Sequence, residues 1–206
     1  MSAILLKKIV SGGQAGVDRA ALDAALDRGL SAGGWCPKGR LAEDGPIPDR
    51  YPLAETPSAD YAQRTEWNVR DADATLILSP LPLEGGSLLT EKVSTRLGRP
   101  CLAVDPLADG ALEAAAGWLG AAQPRALNVA GPRASRWPGG YGSASEFLRR
   151  LLETLGAVGL CAGCRHARRL PTKGGSTIYR CSLSDRDPAF PKYPRLPVAS
   201  CSGFAK

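Results

Sequence analysis

The sequence predicts an α/β protein built around an open, doubly wound parallel sheet. Short apolar runs recur along the chain, and the clearest are ILLKKIV, ATLILS, CLAVD and ALNVA. Their length and their β-branched and leucine content are typical of buried parallel strands. Helical patterns lie between and after these runs, at about residues 15–28, 59–71, 87–97, 110–119 and 142–155. Strands and helices in alternation favour a sheet that carries helices on both faces.

Composition and charge predict a second, smaller domain at the C-terminus. With 206 residues and 44% hydrophobic content, the chain can bury one sizeable core and carry a small appendage. Residues 1–160 hold 17 basic and 18 acidic residues, whereas residues 161–206 hold 9 and 2, so the net charge of +6 belongs to the tail. The sequence pattern also changes near residues 156–160, where segments with regular hydrophobic periodicity give way to a sequence rich in turn-forming residues. We therefore predict domains at residues 1–156 and 157–206.

The sequence predicts a cytoplasmic protein without a membrane partner. No stretch approaches the roughly 20 apolar residues of a membrane span, and the N-terminal apolar run is followed by lysines instead of a cleavage site. In a reducing compartment, the six cysteines are expected to be thiols or metal ligands and not disulfides.

Ligands of such sheets bind at the loops that follow the carboxyl ends of the strands. The candidate loops are residues 11–16, 79–87, 105–110 and 131–142. In the first, SGGQAG, Gly12 and Gly13 precede a helix whose free N–H groups and dipole favour an anion such as phosphate. Ser11, Gln14 and Arg19 are candidates for further hydrogen bonds to it. The loop has neither a GxGxxG fingerprint nor a P-loop ending, so an ordinary tight turn is the alternative.

A second glycine pair strengthens the prediction of an anion site. In PLEGGSLLTE, Gly85 and Gly86 again lie between a strand and a helix, and Ser87 and Thr90 occupy the first turn of that helix. Two such cradles suit a diphosphate or a nucleotide-like ligand. Two ordinary turns between strand and helix are the alternative.

The long loop WCPKGRLAEDGPIPDRYPL is the third candidate binding element. A loop of this length in a compact domain is usually a binding element or disordered. Lys38 and Arg40 can bind anions, Glu43 and Asp44 can act on protons or hydroxyls, and Trp35 can stack on a ring. A solvated surface loop is the alternative.

The segments SGGQAGVDRAALDAALDRG, GGWCPKGRLAEDGPIPDRYPL, SADYAQRTEWNVRDADATLIL, GGSLLT and NVAGPR occur in this order. Together they resemble the molybdenum carrier family, a circularly permuted branch of the LOG-type, lysine-decarboxylase-like nucleotide-binding superfamily. The resemblance covers about residues 7–153 and implies a Rossmann-like fold. It also implies binding of the molybdenum cofactor, a pterin with a phosphate-bearing tail, by a homo-oligomer that serves a molybdoenzyme or a cofactor-insertion protein.

The resemblance places a ligand site on the glycine loops, the long loop and the last strand. By position, the implied ligand-binding residues are Gly12, Gly13, Gln14, Gly16, Arg19, Lys38, Gly39, Arg40, Glu43, Asp44, Asn68, Gly85, Gly86, Ser87, Thr90, Asn128, Gly131 and Arg133. Two departures stand out. Ala15 replaces a threonine that is frequent in the family, and EGGSLLTE does not reproduce the PGGxGTxxE pattern of LOG-type phosphoribohydrolases.

No catalytic residue is assigned from the sequence. The one histidine, His166, lies in the tail, so neither a Ser-His-Asp nor a Cys-His set is present. A general base for nucleotide N-glycosidic hydrolysis is available among the carboxylates Glu43, Asp44, Glu66 and Glu91. We expect a carrier first, and a hydrolase of a nucleotide-derived substrate second.

The tail predicts a structural metal site. Cys161, Cys164, Cys181 and Cys201 supply the four thiolates of a closed tetrahedral zinc site, in a segment too short to build a sufficient core alone. An iron–sulfur cluster uses the same ligands, and four unligated thiols are the other alternative. Because the tail mixes basic and aromatic residues, a nucleic-acid-binding module is a third function class.

Overall fold

The computed structural model describes residues 6–155, 161, 164–171, 177–195, 198 and 201–205. Eleven strands lie in these residues: β1 (Lys8–Val10), β2 (Ser31–Gly33), β3 (Trp35–Cys36), β4 (Leu41–Ala42), β5 (Gly45–Pro46), β6 (Ala54–Glu55), β7 (Ala74–Leu78), β8 (Cys101–Val104), β9 (Ala126–Ala130), β10 (Ala167–Pro171) and β11 (Thr177–Cys181). The described helices are α1 (Val17–Asp27), α2 (Tyr61–Arg70), α3 (Gly85–Arg96), α4 (Ala111–Ala122) and α5 (Gly140–Thr154). The four strands and five helices expected from the sequence are present.

The central sheet has the order β2-β1-β9-β7-β8, and all of its pairs are parallel. β9 lies between β1 and β7. From β1 the chain moves outward to β2, and from β7 it moves outward on the other side to β8. The carboxyl ends of β1, β9 and β7 therefore meet where the winding changes direction, which is the usual ligand-binding position of such sheets.

One apolar cluster joins the sheet to α1, α4 and α5. Leu76, Leu78, Leu127 and Val129 alternate along β7 and β9 and point into it. The alanine-rich face of α1 has small side chains, which lets α1 pack closely against α5. α2 and α3 contribute nothing to this cluster and pack against each other, so among the described helices they form a separate layer.

The strand β2 was not expected from the sequence, because SAG is short and carries no large apolar side chain. Its place at the edge follows from pairing alone: Ala32 and Gly33 lie opposite Ile9 and Val10 of β1. After it, residues 34–60 form an excursion that has its own small core. Ile47, Tyr51 and Leu53 pack there on Leu22 and Cys36.

The described part of the tail is an antiparallel hairpin of β10 and β11, followed by a 3-10 turn at Ser182–Asp185. Tyr179 is buried there and contacts Cys161, Ala167 and Val198. The predicted domain boundary at residues 156–160 lies outside the described residues. Within the described ranges, no helix is both long enough and apolar enough to span a membrane.

Candidate functional site

A cleft of about 520 Å³ opens at the carboxyl ends of β1, β9 and β7. Its volume lies in the range of small-molecule sites. The loop after β1 contributes Gln14, α1 contributes Asp18, and α2 contributes Tyr61, Arg64 and Thr65. The segment after β7 contributes residues 79–82, 84–87, 89 and 90, and the end of β9 with the segment after it contributes residues 130–133, Arg136 and Trp137.

A buried ion pair forms one wall of the cleft. Nη1 of Arg64 lies 3.3 Å from Oδ2 of Asp18, whose side chain is only 2% exposed. The backbone N–H of Gln14 donates to the same oxygen over 3.3 Å. Burial raises the pKa of Asp18 above its ordinary value of 3.8, and the Arg64 charge opposes this shift. The carboxylate of Asp18 thus accepts hydrogen bonds from the backbone of the first glycine loop. It occupies donors that the sequence predicted for an anionic ligand.

The glycines of this first loop are required by neighbouring protein atoms. A Cβ at Gly12 would overlap the guanidinium of Arg64. Gly13 has a φ of +76°, and a Cβ there would overlap Leu53. Gly16 lies against the backbone of Pro132 and Ala134. The loop is therefore packed closely on three sides.

The start of α3 has a different character. A Cβ at Gly85 or Gly86 would meet no atom within 4 Å, so the first turn of α3 faces open space. Ser87 is 2% exposed, and its Oγ has no hydrogen-bond partner among the described residues. Thr90, in contrast, donates its hydroxyl proton to the carbonyl of Gly86. The first turn of α3, with the N–H groups of Gly85 and Gly86, and an unpaired hydroxyl therefore adjoin the cleft.

Arg64 supplies a second donor without a partner. Its Nε atom is buried and makes no hydrogen bond to any described residue. Arg133 and Arg136 add positive charge to the cleft, while Glu84 and the paired Asp18 add negative charge. Three guanidinium groups against two carboxylates leave the lining net positive. The cleft therefore combines unused donors, positive charge and the aromatic rings of Tyr61 and Trp137.

The structure brings part of the predicted ligand set to this cleft. The predicted residues that line it are Gln14, Gly85, Gly86, Ser87, Thr90, Gly131 and Arg133. Asp18, Tyr61, Arg64 and Trp137 also line the cleft, and none of them was predicted from the sequence as a ligand-binding residue. Tyr61, Arg64 and Thr65 share one face of α2 by their i, i+3 and i+4 spacing. This spacing is the sequence signal that could have identified the face of α2 that lines the cleft.

A second group of predicted residues clamps the loops around the cleft. Arg19 binds both carboxylate oxygens of Asp44, at 2.5 and 2.8 Å, and also donates to the carbonyl of Gly13. Glu43 accepts hydrogen bonds from the N–H and the hydroxyl of Ser135, at 2.9 and 2.5 Å. These contacts join the long loop to the loops after β1 and β9.

A third group of predicted residues lies away from the cleft, and their contacts are structural, so their ligand-binding role stays a prediction. The guanidinium of Arg40 donates to the carbonyls of Ile47, Pro48, Tyr51 and Leu53, so it holds the long loop together. Asn68 bonds the backbone of Trp35, and Asn128 donates to Thr75 inside the sheet. The exposed Lys38 and its neighbour Gly39 bond Ser58 and Glu55 through their backbone N–H groups and do not line the cleft.

The four tail cysteines are each half-buried and free of disulfides. Burial, together with the smaller effect of the charges of Cys164, Cys181 and Cys201, raises the pKa of the Cys161 thiol to about 11. The other three cysteines are therefore near enough to influence Cys161. Among the described residues, however, no three histidine, cysteine or acidic side chains converge as a group that could hold a metal ion. The predicted zinc or iron–sulfur site is not formed by the side chains as they stand.

Comparison with known proteins places the cleft-forming part of the chain in a family. A family model described as "Circularly permutated YpsA SLOG family" matches residues 9–152. A crystal structure described as that of a putative molybdenum carrier protein from Syntrophus aciditrophicus SB is 45% identical, with a TM-score of 0.68. The match covers 72% of this chain and 96% of that one. No curated protein matches the sequence. The cysteine-containing tail lies outside the family match.

Proposed function

This chain belongs to the circularly permutated YpsA SLOG family, and from that premise we propose that it binds and carries a phosphorylated, pterin-like ligand. The molybdenum cofactor is the first candidate, because the 45% identical neighbour is described as a molybdenum carrier protein. The ligand occupies the cleft at the carboxyl ends of β1, β9 and β7.

One observation carries this proposal: two buried donors, Oγ of Ser87 and Nε of Arg64, lack partners on the same cleft. An unsatisfied buried polar group costs the protein about 1–3 kcal/mol. A ligand that supplies acceptors to these donors removes this cost, and its binding is strengthened accordingly. Phosphate oxygens suit both donors, since one is at a helix N-terminus and the other belongs to a guanidinium.

The remainder of the cleft suits a flat ring system. Tyr61 is 40% exposed at its rim, and Trp137 is fixed by packing against the main apolar cluster. Aromatic rings bind planar heterocycles by stacking. If the phosphate lies at the start of α3, the rings of Tyr61 and Trp137 line the same cleft and are available to stack on the pterin.

A hydrolase acting on a nucleotide-derived substrate is the alternative. Three of its four candidate bases are engaged with protein groups, since Glu43 is bonded to Ser135, Asp44 is paired with Arg19, and Glu66 is paired with Arg96 at 2.8 Å; Glu91 is the fourth. A carboxylate whose oxygens are already bonded to protein donors is not free to reach a substrate proton. These contacts favour carriage over hydrolysis.

Carriage also requires a recipient. We therefore also propose that the protein is a cytoplasmic homo-oligomer. It transfers the ligand to a molybdoenzyme or to a cofactor-insertion protein.

Direct titration of purified protein with the molybdenum cofactor tests the proposal, together with mass spectrometry of the small molecules that co-purify. We expect saturable binding without release of any base from nucleoside monophosphates. Failure to bind or retain the cofactor, combined with release of a base from nucleotides, would overturn carriage and support the hydrolase.

A further inference from the structure

The tail contains four cysteines that the family match at residues 9–152 does not cover. Their backbone placement is the relevant observation. At Cys164, the carbonyl accepts the N–H of Ala167 over 3.0 Å, which closes a tight turn at the start of β10. Ala167 lies directly opposite Cys181 in the hairpin, and the N–H of Ser182 donates to His166 over 2.8 Å. Cys181 is thus held beside the turn that Cys164 opens.

Cys201 opens a turn of the same kind. Its carbonyl accepts the N–H of Phe204 over 3.2 Å, as the carbonyl of Cys164 does with Ala167. One further backbone bond, from the N–H of Arg165 to the carbonyl of Ala205 over 2.8 Å, ties the two turns together. Two cysteine-containing turns therefore lie side by side, although 36 residues separate Cys164 from Cys201 in the chain.

Cys161 completes the set. It packs with Ala167 and Val198 against the buried ring of Tyr179, on the strand that ends at Cys181. This cluster is the only apolar one found in the described tail, and four residues of this kind bury too little surface to fold a segment of this size. The tail needs a further source of folding free energy.

We propose that Cys161, Cys164, Cys181 and Cys201 bind one structural zinc ion through their four thiolates. The backbone contacts bring two turn-borne cysteines, one strand-end cysteine and one packed beside them into the same part of the tail, and a tetrahedral shell requires four such ligands. The side chains do not converge on a metal geometry as they stand. Each sulfur is attached through one rotatable bond, so the proposal requires that changes of rotamer bring the four thiolates together around the ion.

The surrounding charge and the closed ligand shell suit a structural metal site. Four thiolates around a divalent cation leave net negative charge, and the exposed Arg165 and Arg168 flank it in the sequence. A shell of four protein ligands has no open position for water, so the site stabilises the tail and performs no reaction. This inference does not depend on the ligand bound in the cleft.

Elemental analysis of the purified full chain tests the proposal, and we expect about one zinc per chain. Cys181→Ser and Cys201→Ser should lose most of this zinc, whereas Cys101→Ser, which changes a cysteine of β8, and His166→Ala should retain it. Cobalt(II) in place of zinc should give sulfur-to-metal charge-transfer absorption that both tail substitutions weaken.

A second measurement separates metal loss from a variant that does not fold. Chelation of the wild-type chain should make residues 161–206 protease-sensitive while residues 9–152 stay folded, and added zinc should restore resistance. Absence of zinc with a protease-resistant tail would overturn the site. Iron with acid-labile sulfide in its place would overturn the choice of zinc, and zinc loss in His166→Ala but not in Cys201→Ser would overturn the ligand set.

Discussion

Arg64 of α2 and Asp18 of α1 form a buried ion pair, with Nη1 and Oδ2 3.3 Å apart, behind the first glycine loop. Because the carboxylate of Asp18 accepts from the backbone of that loop, the chain supplies its own anion at the start of α1. The open start of α3 is then left to receive the anion of a ligand. The first glycine loop thus binds a carboxylate of the protein, whereas the second is open to a ligand. This difference underlies the effects that we expect from mutations in the two loops.

Ser87→Ala is expected to weaken ligand binding and to stabilise the free protein. The buried hydroxyl has no partner in the described structure, so its removal relieves an unsatisfied group worth about 1–3 kcal/mol. The same hydroxyl bonds the proposed phosphate, and a hydrogen bond to a charged group is worth about 1.5–3 kcal/mol, or roughly tenfold to a hundredfold in Kd. Chemical denaturation and ligand titration measure the two effects.

Ser94→Ala is the matched control for Ser87→Ala. Ser94 is also a buried serine of α3, but its hydroxyl donates to Thr90 over 2.9 Å. Its replacement should leave binding unchanged and should not stabilise the protein. Equal effects of the two substitutions on Kd would remove Ser87 from the site.

Gly86→Asp is expected to abolish most ligand binding without unfolding the protein. A Cβ at this position meets no atom within 4 Å, and a carboxylate in the first turn suits the helix dipole. It also places a negative charge where we propose that the phosphate binds, which should weaken affinity by at least about tenfold. Gly142→Asp, an equally open position in the first turn of α5, should bind normally. Normal affinity in Gly86→Asp would contradict an anion at α3.

The contrast with the first loop shows where sequence reasoning reached its limit. From sequence, Gly12 and Gly13 predict an open anion cradle, and Gly13→Asp should obstruct a phosphate. In the structure, Leu53 already occupies the direction of a Gly13 side chain, so that substitution disturbs packing instead. A glycine that admits a ligand and a glycine that admits a neighbouring side chain look identical in sequence.

The strands and helices were predictable because their burial is periodic and local. The partners of Arg40 were not, because its four carbonyl acceptors lie 7 to 13 positions along an irregular loop. Asn128 was likewise predicted as a ligand group by position, whereas the parallel register places it opposite Thr75. Register between distant strands is absent from any local pattern.

Arg40→Ala is therefore expected to act on stability before it acts on binding. It leaves carbonyls of the long loop without their donors, at a cost of about 1–3 kcal/mol in the free energy of unfolding. Lys38→Ala, an exposed neighbour, should change neither stability nor Kd. Thermal unfolding and titration separate the two properties. A large loss of affinity in Arg40→Ala at unchanged stability would return Arg40 to the ligand site.

Asp18 should give the unfolding free energy a measurable pH dependence. Burial raises the pKa of this carboxyl in the folded state above its ordinary value of 3.8. Between the unfolded and the folded pKa the folded state binds more protons, so its contribution to stability falls as pH rises through that window. Asp71 and Glu146, whose pKa values are lowered by arginine partners, contribute in the opposite direction.

The difference in unfolding free energy between wild type and Asp18→Asn isolates the contribution of this carboxyl, because the other titrating groups contribute equally to both proteins. We expect the difference in unfolding free energy to change steadily from pH 3.8 upwards and then level off. Denaturant unfolding at closely spaced pH values measures it. A difference that is flat over this range would mean that the Asp18 pKa is not raised.

Glu43 offers the sharpest distinction between a loop clamp and a general base. Its carboxylate accepts two hydrogen bonds from Ser135 and lies 3.9 Å from Arg133, so it joins the long loop to the segment after β9. Glutamine keeps an acceptor oxygen for Ser135 but cannot take up a proton at neutral pH. If Glu43 is a clamp, Glu43→Gln should lose much less ligand affinity than Glu43→Ala, which removes both bonds. If Glu43 is the base of a hydrolase, both substitutions should abolish base release equally while Glu43→Gln retains full affinity. Titration of the two variants beside a nucleotide-hydrolysis assay therefore decides whether this carboxylate serves carriage or chemistry.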